Sequence, residues 1–445
     1  MSRKLLLGIM LVIGVHAFDE LVLVISLPSI APQLGLQETY GLTIAAYILA
    51  AITGMSWSGR LIDSLGPQRV LAFALIVFSS GIVLSIIAWN SHSFIFARTL
   101  QGFGGGIGNT CAFALINLLN TGRNRGHAVM AIDLSWVVPS VAAPLIGGLL
   151  VDHLSWRAIF ILQIPIIATI AWLLLPNLGH LNRQQPLPSL RNFIDALRVA
   201  FGTGLFLYLV AQPLSWLWLA IILAGFIMLP AFNRVMPQLW WKGGTPLALP
   251  ILVGLLSFTA FYGMEAYQPL FLIDYAGLST SHAGFIVTFA SVSWLFGSHC
   301  SARIYPRLSR LQLMTLGNSL LLAGITCLGF ISLSEWAIGW MYPSWALAGL
   351  GMGFTFNASR TSAMENTPPN QEGFVATALT LASNMGIGLS SGIGGAIKNQ
   401  VFAGAGDMRQ VLLWVVALGF CVVLFNLSMM VRRARGFSQK PARQP

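Results

Sequence analysis

The sequence predicts an all-α integral membrane protein: two parallel six-helix bundles with two further helices inserted between them, fourteen spans in all. Three observations carry this. Of the 445 residues, 56% are hydrophobic and only 8% charged, against about 25% charged in a soluble domain, so an ordinary water-facing surface is excluded. Between Leu5 and Val431 the apolar residues fall in long runs, and about 20 apolar residues cross a bilayer as a helix. With the N-terminus inside, 20 of the 24 lysines and arginines fall in cytoplasmic loops and tails, Arg360 among them, leaving Arg98, Arg157, Lys398 and Arg409. A miscounted helix would scramble that asymmetry, which also places both termini in the cytoplasm.

The spans read as 5–30, 40–58, 70–88, 94–117, 127–150, 157–175, 195–212, 216–233, 247–272, 281–301, 311–331, 336–358, 373–398 and 410–431. Each is helical, because only a helix satisfies its own backbone within one segment. The first begins like a signal peptide, with Ser2-Arg3-Lys4 and then Val15-His16-Ala17, but its apolar run continues to Pro28 and reads as a retained span. His16 lies one turn from both Asp19 and Glu20, so the three share a polar flank. The two acids diverge by about 100°, so one of them faces a cavity. A charge at the bilayer centre costs about 2.5–3.5 kcal/mol on insertion scales, which makes Asp19 a candidate proton site. Glu20 and His16 read equally well as closing a polar helix contact.

Between the second and third spans lies Gly59-Arg60-Leu61-Ile62-Asp63-Ser64-Leu65-Gly66-Pro67-Gln68-Arg69. Its glycines permit a tight turn, and Asp63 can face a helix N-terminus in the opposite half. The fourth span carries Arg98-Thr99-Leu100-Gln101-Gly102-Phe103-Gly104, so Arg98 needs a carboxylate or carbonyl partner, or a place near the outer interface. No strand precedes these glycines, so they are packing residues and not a nucleotide fingerprint. In the fifth span, Ala143-Pro144-Leu145-Ile146-Gly147-Gly148 combines a bend with close approach, and Asp133 reads as a partner for loop arginines. Trp156-Arg157-Ala158-Ile159-Phe160, Gln163 and Pro165 open the sixth. Only Pro213-Leu214-Ser215 separates the seventh and eighth, which as a re-entrant hairpin would leave twelve spans and the same final topology. In the ninth, Glu265 stands among Tyr262, Tyr267 and Gln268; aromatic neighbours suit an organic cation.

The halves repeat. Gly102–Gly106 matches Gly349–Gly353 and Pro144–Gly148 matches Ser391–Gly395, both at an offset of 247, while Arg60-Leu61 and Leu65 match Arg303-Ile304 and Leu308 at 243. Shifting Asp19 and Glu20 by these offsets lands on 262–267, where Glu265 stands; a pair formed by Asp19 and Glu265 across a central cavity is the expectation. The organisation is therefore residues 1–175, a six-helix bundle; 176–246, a cytoplasmic linker and two inserted helices; 247–431, the second bundle; and 432–445, a basic cytoplasmic tail. Parallel six-helix halves around a central substrate site are the build of a secondary transporter.

The loop at 59–69 resembles the signature of the major facilitator superfamily, with Gly59, Asp63, Gly66 and Arg69 in place and Ser64, Pro67 and Gln68 at usually basic positions. Arg98–Gly104 resembles that family's fourth-helix motif. Pro144, Gly147 and Gly148 resemble its antiporter motif, with Ala143 for the usual glycine, and Trp156–Phe160 resembles the sixth helix of drug exporters. Asp19, nine residues before Pro28, is similar to the first helix of the fourteen-helix drug:proton antiporter family, although Leu21 and Val24 replace its polar residues. This resemblance implies a major facilitator fold and a monomer in the inner membrane that exports small organic compounds against protons by alternating access. Asp19, Glu20, Glu265, Arg98 and His16 would handle protons and substrate, and Tyr262, Tyr267 and Gln268 would line the cavity. No cofactor is implied beyond the proton gradient. A dedicated exporter of a metabolite, siderophore or lipid uses the same machinery, and a non-transporting sensor or scaffold is the rival from another class.

The net charge of +11 belongs to the loops and implies no nucleic acid, since no soluble basic domain is present. Cys111, Cys300, Cys327 and Cys421 sit inside apolar stretches without disulfide or metal spacing, and nothing predicts an enzyme.

Overall fold

The computed structural model describes residues 3–36, 40–119, 124–181, 189–210, 217–238, 240–272, 277, 280–305, 307–333 and 338–438. Among them are fourteen α-helices and no strand. In chain order these are α1 (Arg3–Leu34), α2 (Tyr40–Leu65), α3 (Pro67–Ile86), α4 (Ser91–Leu119), α5 (Asn124–His153), α6 (Trp156–Leu174) and α7 (Leu190–Val210). They continue with α8 (Leu217–Val235), α9 (Ala248–Leu270), α10 (Thr280–Ile304), α11 (Arg310–Leu333), α12 (Met341–Glu365), α13 (Glu372–Ala403) and α14 (Met408–Ser438). Each coincides with one sequence-derived span and most extend beyond it. Nine contain stretches long and apolar enough to cross a membrane by length and composition. Large apolar side chains stay exposed along them, Phe226 at 81% and Ile76 at 65%, which lipid tolerates and water does not. Pro213-Leu214-Ser215 lies outside the described residues.

The chain forms two compact units, one of Met1–Leu205, Leu223–Pro237 and Thr367–Leu381, the other of Phe206–Ile222, Gln238–Asn366 and Ala382–Pro445. The division differs from the sequence-derived one because it runs through α7, α8 and α13. In the first unit, α1, α2 and α3 pack on α4, α5 and α6 pack on α1, and α3 meets α6. In the second, α9, α10 and α11 pack on α12, and α14 packs on α9 and α11. The pattern is the same. α4 is buried without interruption from Gly104 to Asn117, and α12 from Gly351 to Met364, the same stretch 247 residues on.

Both offsets in the repeat are real, and contacts explain why they differ. A Cβ on Gly102 would strike the Tyr47 backbone and one on Gly349 that of Ala290; Gly106 meets Ala51 as Gly353 meets Trp294. Gly104 meets Ala74 and Phe78 as Gly351 meets Gly317 and Leu321. Thus α4 maps to α12 at 247, while α2 and α3 map to α10 and α11 at 243. The α6 to α14 register is 252, set by two arginines. Arg157 donates to the carbonyls of Ile86 (2.9 Å) and Ala88 (3.0 Å) at the end of α3, and Arg409 to that of Ser332 (2.6 Å) at the end of α11. Cations there complement the helix dipole, so two of the four exceptions to the charge split are equivalent capping residues.

Gly66 ends α2 and precedes α3 with φ 84°, Pro67 following as the first helical residue, so a side chain at position 66 would be strained. Asp63 accepts from the backbone N–H groups of Gly373 (2.8 Å) and Phe374 (3.0 Å) in the first turn of α13. This is the helix-terminus role read from sequence. The start of α13 also gives the Thr377 hydroxyl to the Met55 carbonyl at 3.0 Å, and Asn117 donates to Thr367 at 2.9 Å. These bonds tie 367–381 to the first unit. Gln68 donates to the Leu175 carbonyl at 2.6 Å, and Arg69 is exposed. The inserted pair is clamped by Arg234, which holds both oxygens of Asp195 at 2.6 and 2.7 Å, and Phe193 meets Trp57 of α2 edge-on at 5.1 Å.

Two outcomes follow. Gly106→Leu and Gly353→Leu should each lower stability by about 1–3 kcal/mol or more, as overpacking does, whereas Gly388→Ala, with open space around it, should be silent; thermal unfolding of the purified variants reads the difference. Asp63→Asn should weaken the cap on α13 by about 0.3–1 kcal/mol, seen as faster hydrogen exchange at the Gly373 and Phe374 amides without loss elsewhere.

Candidate functional site

The first unit buries a charged network on α1. Asp19 is fully buried, and its Oδ2 accepts from Arg98 Nη1 at 2.8 Å. Its Oδ1 accepts from Gln163 Nε2 of α6 at 3.0 Å. Arg98 also donates to Gln101 Oε1, one turn along α4, and Gln101 donates to Ser85 of α3 at 3.1 Å. The guanidinium lies 4.3 Å from the centroid of the Tyr47 ring on α2. The Tyr47 hydroxyl in turn meets His16 Nδ1 at 2.6 Å. Arg98 therefore has the carboxylate partner that its depth requires, and His16 closes a polar helix contact. Arg98 Nε and Gln163 Oε1 have no hydrogen-bond partner among the described residues, so the network is not saturated.

Sequence reading assigned Asp19, Arg98 and His16 to the site, noted Gln101 and Gln163 only as members of helix motifs, and did not single out Tyr47 or Ser85. Gln101 carries a usable signal, being three residues from Arg98 and so on its helix face. Tyr47 and Ser85 carry none, because only the packing of α2 and α3 brings them in.

Glu20 is half-buried next to Asp19. It lies on the side of α1 opposite Phe18 and Val22, which pack with Ala143 and Ile159 of α5 and α6. Gly147 approaches Val22, its Cβ position 2.5 Å from Cγ2. Pro144 and Gly148 lie on the same helix. Asp133 is buried on α5, 5% exposed.

In the second unit Glu265 is half-buried on α9. Tyr262, one turn before it, stacks on Phe258 at 5.4 Å and meets Trp294 at 6.4 Å. Tyr267 belongs elsewhere, and Gln268 is buried. Tyr267 packs against Gly394 of α13, and Gln268 Nε2 lies 3.8 Å from the Met341 sulfur. Tyr267, two residues beyond Glu265, points to another side of the helix, whereas Gln268, three residues beyond, lies one turn along the same flank as Tyr262. Arg360 also corrects the sequence reading. It is no loop residue but a buried one, 3% exposed on α12, donating to Ser383 at 2.7 Å with its guanidinium 3.7 Å from the Phe356 ring.

The repeat makes the two units comparable residue by residue. The contacts of Gly147 with Val22 and of Gly394 with Tyr267 set the α1 to α9 offset at 245. Asp19, His16, Tyr47, Ser85, Arg98, Gln101 and Gln163 then correspond to Met264, Phe261, Ala290, Leu328, Trp345, Ala348 and Val415, all buried and apolar. The second unit holds a different network instead. Ser257, Asn318 and Asn426 bond one another at 3.0–3.2 Å, and Asn318 reaches Thr355 at 3.2 Å. Their counterparts Val12, Leu75, Leu174 and Gly108 carry no polar side chain.

A sequence profile described as Major Facilitator Superfamily matches residues 9–391. The chain is 24% identical over 418 residues to Multidrug resistance protein 3 of Bacillus subtilis (strain 168), covering 90% of this chain and 80% of that one. It is 24% identical over 432 residues to the multidrug efflux pump SdrM of Staphylococcus aureus (strain N315), covering 94% and 95%. A bacterial homologue of the iron transporter ferroportin, crystallised in an outward-facing state, superimposes with a TM-score of 0.70 at 13% identity over 97% of this chain and 98% of the other. That last likeness speaks for the fold alone. A profile match across most of the chain, joined to two units built on one helix pattern, assigns the family: this protein is a multi-pass membrane transporter of the Major Facilitator Superfamily.

Proposed function

We propose that the protein is a proton-coupled antiporter that exports small organic compounds, powered by the proton gradient alone. The observation that carries this is the placement of Asp19, Glu20 and Arg98 together inside an apolar bundle, where a charge costs about 2.5–3.5 kcal/mol unless compensated. Such a cluster is retained for ion or substrate handling. The names of its relatives support the substrate class: both are described as multidrug proteins. A charge crossing 100 mV gains about 2.3 kcal/mol, and one pH unit adds about 1.4 kcal/mol. Each proton can thus sustain a gradient of roughly a few hundredfold when charge moves inward. The protein works as a monomer in the inner membrane with both termini cytoplasmic, the orientation that the arginine and lysine distribution favours.

Proteoliposomes with an imposed pH gradient should accumulate ethidium against its own gradient, and dissipating the pH gradient should abolish it; accumulation that survives dissipation removes proton coupling. The ion pair itself should behave as a unit. Arg98→Met alone should cost about 3–5 kcal/mol by stranding the Asp19 carboxylate, whereas Asp19→Asn with Arg98→Met should recover much of that loss. Thermal unfolding of the two single variants and the double variant measures the coupling.

A further inference from the structure

Asp19 and Glu20 are neighbours in sequence but not in circumstance. Asp19 is fully buried and doubly partnered, by Arg98 at 2.8 Å and Gln163 at 3.0 Å. Glu20 is half-buried, and among the described residues no hydrogen bond or ion pair involves it. The same is true of Glu265. Asp19 is held by two direct hydrogen-bond partners, whereas a carboxylate without a bonded counter-charge crosses apolar surroundings at low cost only as the neutral acid.

The internal repeat connects the two unpartnered acids. The 245-residue register set by Gly147 against Val22 and Gly394 against Tyr267 carries Glu20 onto Glu265 and Asp19 onto Met264, which is fully buried. Each glutamate also occupies the same side of its helix. Glu20 is two residues from Phe18 and Val22, which pack towards α5 and α6. Glu265 is two residues from Gly263 and Tyr267, which pack against Ser390 and Gly394 of α13. Two residues on a helix are about 200° apart, so both acids point away from those contacts.

We infer that the exchangeable protons of transport are carried by Glu20 and Glu265, an equivalent pair in the two repeats, while Asp19 serves as the fixed structural partner of Arg98. This rests on the proton-coupled reading above. In each glutamate an O–H bond forms with a proton taken from water and breaks when water takes it back, so no other reactant enters. Around Glu20 the polar and charged groups are Asp19 and His16 of α1, Arg98 of α4 and Tyr47 of α2. Around Glu265 no charged group of α10, α12, α13 or α14 acts among the described residues, and Tyr262 is its polar neighbour on α9.

The test is pH-difference infrared spectroscopy of the carboxyl region on the full-length protein in lipid, for wild type, E20Q, E265Q, D19N and the double variant E20Q/E265Q. The expected result is loss of one titrating carboxyl band in E20Q, loss of a second in E265Q, loss of both in the double variant, and retention of both in D19N. Persistence of both bands in the double variant, or loss of one in D19N, overturns the assignment. Should a glutamine variant fail to fold, E20D and E265D must each shift one band, and an unmoved band is equally fatal. Ethidium uptake by the same proteins in proteoliposomes separates the two levels. Wild type without pH-driven uptake sinks the proton-coupled reading, whereas pH-driven uptake that survives in the double variant sinks only this assignment.

Discussion

The buried pair between Asp19 and Arg98 is the constraint around which the first unit is arranged. Neither charge tolerates its surroundings alone, so α1 and α4 must meet where they do. The remaining bonding capacity of the two groups then recruits Gln163 from α6, Gln101 and through it Ser85 from α3, and the Tyr47 ring from α2. Five helices are indexed to one ion pair. A buried pair of this kind adds little net stability over apolar packing, yet breaking it is costly. It works as a register device.

The second unit reaches the same helix arrangement without that pair. Trp345 stands where Arg98 does and meets Phe261, the counterpart of His16, edge-on at 5.2 Å. Shape takes over from charge at that level of the helices. The neutral network of Ser257, Asn318, Thr355 and Asn426 joins α9, α11, α12 and α14 further along, where the first unit is apolar. Each repeat thus keeps one polar device to fix its register, and the devices are not copies of each other. Uncharged amides and hydroxyls need only hydrogen bonds when buried, so this second device imposes no demand for a counter-charge.

Much of this was legible in the sequence, for physical reasons. Helix number followed from hydropathy, because a lipid-exposed backbone has no alternative. The repeat followed from glycines, because their spacing records where backbones touch, and its two offsets mark genuinely different helix registers. Asp63 was read correctly because a carboxylate before a glycine turn has few other uses. Other features required three dimensions. Tyr47 and Ser85 look like ordinary residues of apolar helices. Arg360 sits close enough to the end of α12 to pass for a loop charge, and only the cover supplied by Ser383 and Phe356 shows otherwise. Tyr267 was grouped with Glu265 by sequence proximity, although residues two apart on a helix do not share a direction. The division of α13 between units was invisible because it depends on hydrogen bonds across more than 300 residues of chain, such as Asp63 with Gly373, 310 residues apart.

The protein uses three ways to hold charge in apolar surroundings. Asp19 and Arg98 neutralise each other. Asp63, Arg157 and Arg409 sit at helix ends of opposite polarity, Asp63 at the start of α13 and the arginines at the ends of α3 and α11. Arg98 and Arg360 rest on the faces of Tyr47 and Phe356, which attract a cation through the ring quadrupole. Among the described residues Glu20 and Glu265 have none of these: no counter-ion bond, no helix end, and a ring face would repel an anion. Two carboxylates at equivalent positions thus stand without a bonded counter-charge among the described residues, Glu20 with Arg98 near it but not bonded to it. A proton or a cationic substrate can each fill that role, and competition between them at one group is the minimal physical basis for exchange of one against the other.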